Sequence, residues 1–232
     1  MVAGQCYGHS IDAIQLKVRR IMPSIRNRLL MMILLVPLAG CMAQMNENPD
    51  RWAETTKMRL PSNGNLYICH GFGCKLNYAF KPNDQDLEKV TEILKKGESS
   101  AEAERQSMGE AIQYFETRLG PLIGSDKDKG GLDLTSSGIP GQMDCIDEAS
   151  NSTSYLMYMQ MHGLLKHHSV SSPVARGFFL DGRYPHATSV VKQKATKSHY
   201  AIDSWVKDNG VFPVIKPLKK WFAEKPAGLR GA

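Results

Sequence analysis

From Leu29 to Gly40 the chain reads LLMMILLVPLAG, twelve residues without a charge, with Arg26 and Arg28 just before and Cys41 just after. A run of that length suits the core of a signal sequence and falls short of the roughly 20 apolar residues that cross a bilayer. It divides the chain into a leader, residues 1–40, and a remainder that must supply any fold. The division also relocates the charge. The net charge is +6, but five of the 29 basic residues and one of the 23 acidic residues precede Cys41, so 24 and 22 remain from there on. Basic residues ahead of an apolar core hold it on the cytoplasmic side during export. The nearly neutral remainder carries no electrostatic footprint for nucleic acid, so nucleic acid is not an expected partner.

Leu38-Ala39-Gly40-Cys41 resembles the lipobox cut by lipoprotein signal peptidase. The resemblance implies that Cys41 becomes a lipidated N-terminus and that the domain faces the periplasm of a bacterial envelope. Met42 lacks the aspartate type of retention signal, which points to the outer membrane. Ordinary secretion with cleavage near Ala43, or a buried core helix, are the other readings of the same run. Residues 41–60 are polar and read as a tether, leaving 61–232 as one domain.

Leu66–Cys69 and Leu76–Phe80 read as short strands. Leu87, Val90, Ile93 and Leu94 keep helical spacing over Asp84–Lys96, and Gly97 ends that helix. A second helix is expected from Ser99, with Glu102 completing a capping box and Met108, Ala111, Ile112, Phe115 and Leu119 on one face. Residues 120–141, rich in Gly, Ser, Asp and Lys, read as a long loop. A third helix spans Asp144–His162, with Cys145, Ala149, Ser152, Leu156 and Met159 along a single buried face. His167-His168 reads as its solvated end. Three strands follow, Val174–Leu180, His186–Lys192 and His199–Trp205, joined by Asp181-Gly182-Arg183 and by Lys194–Lys197. The fold class is therefore α+β, with a Cys-bearing helix followed by an antiparallel sheet.

Of the five cysteines, Cys6 leaves with the leader and Cys41 is the lipid site, so an exported domain keeps Cys69, Cys74 and Cys145. An odd number in an oxidising compartment implies one pair and one free thiol. Cys69 and Cys74 enclose His-Gly-Phe-Gly, whose two glycines let the backbone reverse, so a disulfide there would pin a hairpin. A reduced pair is a second reading. Metal held by Cys69, His70 and Cys74 is a third, and it wants a fourth ligand. The chain lacks Cys-x-x-Cys-His, the attachment pattern for haem. No metal or cofactor is expected.

Cys145 falls at the start of a helix, where unpaired N–H groups and the dipole lower a thiol's pKa. A nucleophilic thiol needs a base, and the base needs an acceptor that orients it. His186 opens the second of the three strands and Asp203 lies near the end of the third. If those strands are antiparallel neighbours, the two side chains can meet across the ladder. A buried structural Cys145 and an ordinary strand-end His186 are the competing reading.

The runs Asp144-Cys145-Ile146-Asp147, Tyr184-Pro185-His186-Ala187 and Tyr200-Ala201-Ile202-Asp203-Ser204-Trp205 resemble the transglutaminase-like superfamily. They are similar in particular to its bacterial cysteine proteinases, and the gaps of 41 and 17 residues suit the family's order of Cys, His and Asp. The resemblance covers about residues 100–210 and implies a papain-like core. It makes Cys145 the nucleophile, His186 the general base, Asp203 the orienting acceptor and Gln142 a candidate oxyanion donor. Calcium-dependent proteinases of this type carry an acid directly after the cysteine. Ile146 stands there instead, although Asp144, Asp147 and Glu148 keep the neighbourhood acidic.

The expected function is a lipid-anchored thiol hydrolase working through an acyl-thioester on a protein or peptide substrate, as a peptidase or an acyl transferase. A binding or scaffold lipoprotein of the same fold, without chemistry, is the reading from another class. A small structural envelope lipoprotein is a third.

Overall fold

The computed structural model describes residues 47–177 and 185–224. Cys41, the leader and the expected Asp181-Gly182-Arg183 connection lie outside them. The described residues form a mixed α+β unit of five helices, a two-stranded hairpin and a four-stranded antiparallel sheet. Among them, no helix is long and apolar enough to cross a membrane.

A short helix, α1 (Asp50–Thr56), comes first, inside the stretch read as tether. It is anchored by Trp52, whose indole N–H donates to Ser150 Oγ at 3.0 Å, and Met58 beyond it is buried against Cys69 and Cys74. Two large apolar side chains in a polar run suffice to dock it. The hairpin follows, β1 (Leu66–His70) and β2 (Leu76–Phe80), paired Leu66 with Phe80 through His70 with Leu76.

Helix α2 (Asp84–Lys95) starts at a capping box between Asn83 and Asp86 and buries Val90, Ile93 and Leu94. Helix α3 (Ala101–Ile123) is capped by Ser100, one residue later than expected, whose hydroxyl accepts from the Ala103 N–H at 3.1 Å. Its face of Met108, Ala111, Ile112, Phe115 and Leu119 is buried as its spacing predicts. The helix also runs through Gly120-Pro121, which the sequence reading assigned to a loop. Pro121 costs one backbone hydrogen bond. At Gly120 a Cβ would sit tightly against the Asp126 main chain, 3.2 Å away, which a glycine avoids. The helix stops at Gly124, whose φ of 82° suits glycine.

Helix α4 (Cys145–Met161) is the centre of the fold, packing against β1, β3 and β4. Nearly every residue from Asp147 to Tyr158 is buried, so the single apolar face expected from the sequence is replaced by burial all round. The small hydroxyl and amide residues Ser150 to Ser154 let neighbours approach on every side. Thr153 Oγ1, for instance, donates back to the Ala149 carbonyl at 2.7 Å.

The larger sheet has the order β3-β4-β5-β6, with β3 (His168–Arg176), β4 (His186–Gln193), β5 (His199–Asp203) and β6 (Val214–Pro217). Strand β3 begins six residues before the expected Val174 and bulges between Ser171 and Val174, around Pro173, which an edge strand tolerates. His168 is not the solvated end of a helix. It is fully buried, its Nδ1–H donating to Glu104 Oε2 at 2.6 Å while Arg105 Nη1 lies 3.2 Å from Nε2. Glu104 also accepts the main-chain N–H groups of Lys166 and His167, which fixes the entry into β3. After β6, helix α5 (Leu218–Ala223) folds back on the sheet and buries Leu218 and Trp221.

Candidate active site

Cys145 is the first residue of α4. Asp144 caps it, its carboxylate accepting from the Ile146 and Asp147 N–H groups at 3.0 and 2.9 Å. The start of α4 is gripped from outside by the loop between Cys69 and Cys74, which are joined as a disulfide. Asp147 accepts the N–H groups of Phe72 at 2.8 Å and Cys74 at 2.6 Å. One turn on, Asn151 accepts the Cys69 N–H at 2.7 Å and donates to its carbonyl at 2.9 Å. The disulfide thus does more than pin a hairpin: it shapes the loop that seats the Cys145 helix. It also leaves no thiolate for the metal reading of Cys69, His70 and Cys74, and His70 Nδ1 accepts the Gly141 N–H at 3.2 Å. Calcium at Asp147 would have to displace the donors on both of its oxygens.

His186 and Asp203 meet as expected. One step beyond Ser189–Ile202 the ladder sets Thr188 beside Asp203, so His186 lies on the diagonal of the same face. His186 Nε2–H donates to Asp203 Oδ2 at 2.7 Å, and the two residues are only 2% and 3% exposed. That bond places the proton of a neutral ring on Nε2 and its lone pair on Nδ1. Nδ1 is buried and has no hydrogen-bond partner among the described residues, and the same holds for Asp203 Oδ1.

The Cys145 sulfur lies against the main chain on both sides of His186. It is 3.8 Å from the Pro185 carbonyl and accepts from the Ala187 N–H. Cys145 is the free cysteine among the described residues and is half-buried, whereas His186 and Asp203 are buried. Gln142 is held by its main chain on the loop entering α4, its N–H donating to the Ile139 carbonyl and its carbonyl accepting from Gly71.

One expectation needs correcting. Burial pushes the Cys145 thiol well up from its ordinary value, and the Asp144 carboxylate beside it pushes in the same direction; the Ala187 N–H pulls the other way without overcoming them. The helix terminus that should have lowered the thiol carries an acidic cap, which cancels its field.

Under the site lies a buried acidic layer that the sequence reading missed. Glu148, one turn along α4, accepts the Ser204 hydroxyl at 2.8 Å, and Ser204 Oγ lies 3.0 Å from Ser152 Oγ. Burial first, and then the charges of Glu116 and Asp128, raise the Glu148 carboxyl well above its ordinary value. Glu116 on α3 is pushed up to about 8 by burial, with Asp128 adding to the shift. Three aromatic contacts complete the surroundings. Trp205 and Trp221 lie on the His186 ring with centroids at 4.6 and 5.3 Å, and the Trp221 indole N–H donates to Asp203 Oδ2 at 2.7 Å. Trp205 belonged to the motif read from the sequence. Trp221 did not, because nothing local ties a six-residue helix after Pro217 to Asp203.

Comparisons with protein-family models, with curated proteins and with solved structures each find no match.

Proposed function

We propose that this chain is a thiol hydrolase of papain-like, transglutaminase-like architecture, exported and lipid-anchored through Cys41, that cleaves or transfers acyl groups from peptide or glutamine amides. The observation that carries the reading is the His186 ring. Its Nε2–H is engaged by Asp203, and its Nδ1 lone pair is buried, unpartnered and set beside the strand residues that touch the Cys145 sulfur. A buried acceptor without a partner costs about 1–3 kcal/mol.

The chemistry follows from the neutral thiol. His186 Nδ1 takes the Cys145 proton as the sulfur attacks the amide carbon, and the carbonyl π pair moves to oxygen. Asp203 stabilises the imidazolium without accepting its proton. The tetrahedral adduct collapses, the C–N bond breaks, and the leaving amine takes the proton from Nδ1. Water or an amine then attacks the acyl-thioester, with the same ring removing its proton. A disulfide within the domain suits an oxidising compartment, in keeping with export.

The second reading, a binding or scaffold lipoprotein of this fold without chemistry, draws its support from the burial and the Asp144 charge that hold the thiol protonated. Acylation by p-nitrophenyl acetate, followed by intact-mass measurement, separates the two. The enzyme reading expects a single acetyl on Cys145 of the native protein, lost in Cys145→Ser. His186→Ala should slow acylation about a hundredfold, the usual contribution of a positioned base. Acylation only after unfolding, or at an unchanged rate in His186→Ala, would hand the case to the binding reading.

A further inference from the structure

We propose that Trp221 is a positioning residue of this site, acting on His186 through Asp203; the inference rests on the thiol-hydrolase reading. Two donors converge on one oxygen. His186 Nε2–H and Trp221 Nε1–H each lie 2.7 Å from Asp203 Oδ2, while Oδ1 is buried with no partner among the described residues. A carboxylate held through Oδ2 alone by the imidazole could swing about its Cβ–Cγ bond and offer Oδ1 instead. The indole N–H removes that freedom, because its own position is fixed.

Trp221 is fully buried in a cluster with Val174, Val190, Ala201 and Leu218, and Phe222 lies edge-on to its ring at 5.2 Å. The Arg176 guanidinium covers the ring 4.0 Å from its centroid. A buried indole N–H needs an acceptor, and here the acceptor is the same oxygen that His186 uses. The second donor also draws charge from Oδ2, so it tempers how tightly Asp203 holds a protonated ring. Short helix α5 is then part of the site rather than a terminal flourish: it carries the donor that sets the acid–base behaviour of His186.

The experiment replaces the N–H and keeps the shape. Trp221→Phe removes the donor, and incorporation of 3-benzothienylalanine at 221, isosteric with tryptophan but without N–H, does so without disturbing packing. Acylation of Cys145 by p-nitrophenyl acetate is followed across pH, with the downfield proton signal of His186 Nε2–H recorded by NMR. The expected result is acylation slowed about tenfold, the equivalent of about 1.4 kcal/mol. The acid limb of the pH profile moves to higher pH, because a less neutralised carboxylate holds the imidazolium longer, and the Nε2–H signal shifts. A benzothienylalanine variant with wild-type rate, profile and proton signal would show Trp221 to be core packing and overturn the inference. Wild-type protein that resists acylation altogether overturns the hydrolase reading itself, a different outcome from a wild type that reacts and a variant that matches it.

Discussion

Glu116 offers the sharpest test of the buried acidic layer, because its titration links directly to stability. Its side chain is buried on α3, with Oε2 accepting the Gly210 N–H at 2.9 Å and Oε1 buried without a partner. Burial raises its carboxyl from 4.5 to about 8, so the folded chain keeps a proton there that the unfolded chain has already released. A raised acid stabilises the fold fully below the unfolded value, and that stability drains away as pH rises toward the folded value. The rate of loss is about 1.4 kcal/mol per pH unit for one proton, which over this window amounts to about 5 kcal/mol. Glu116→Gln keeps the shape and an acceptor for Gly210 but has no proton to lose. Urea unfolding followed by tryptophan fluorescence should therefore show the two proteins nearly equal at about pH 5, and the variant more stable by several kcal/mol at about pH 8. Glu148 is raised as well, in part by the Glu116 charge, so the wild type falls by more than one proton's slope, and the difference between the two curves reports Glu116 together with its coupling to Glu148. Parallel curves, or a variant equally destabilised at both ends, would mean that the ionised carboxylate has a partner in the fold and would refute the reasoning.

Asp147→Asn should cost about 3 kcal/mol in urea unfolding, because an amide offers one acceptor where three main-chain N–H groups now converge and sets its own NH₂ against the rest. Acylation of Cys145 should slow with it; unchanged stability would show that the disulfide loop does not seat α4 through this carboxylate. Cys41→Ala should abolish incorporation of labelled palmitate in cells, and an unlabelled wild type with a later free N-terminus would remove the lipid anchor from the reading.

What was legible in the sequence and what was not divide along a physical line. Helix α2 and the buried face of α3 could be read because caps and a 3.6-residue stripe are local, and α4 began where Asp144 and Asp147 form a capping box. The Cys69–Cys74 bridge followed from counting, and the meeting of His186 with Asp203 from the order of two adjacent strands. The misses are places where tertiary contacts outvote local signals. Gly120-Pro121 reads as a stop, yet α3 continues because the Asp126 turn packs on the bare glycine. His168 reads as solvated until Glu104, 64 residues earlier, supplies its partner. Strand β6, four residues ending in Pro217, has too short a pattern to stand out from its surroundings.

The Cys145 thiol shows how the same division reaches chemistry. A cysteine opening a helix argues from sequence for a preformed thiolate, since the terminus offers N–H groups and a positive dipole end. The residue that starts the helix is itself an acid, and its carboxylate takes the Ile146 and Asp147 N–H groups for its own charge. The better the cap, the less of the helix field remains for the neighbour. Burial then removes the water that would have solvated a thiolate. If the hydrolase reading holds, such a site moves the proton during attack rather than relying on a standing ion pair. That requires a base whose free nitrogen has no other occupation, and the unpartnered Nδ1 of His186 meets the requirement. On the proposed hydrolase reading, the acidic cap and the His186 Nδ1 are two halves of one arrangement: the first opposes a standing thiolate, and the second takes the proton when a carbonyl is in place to receive the sulfur.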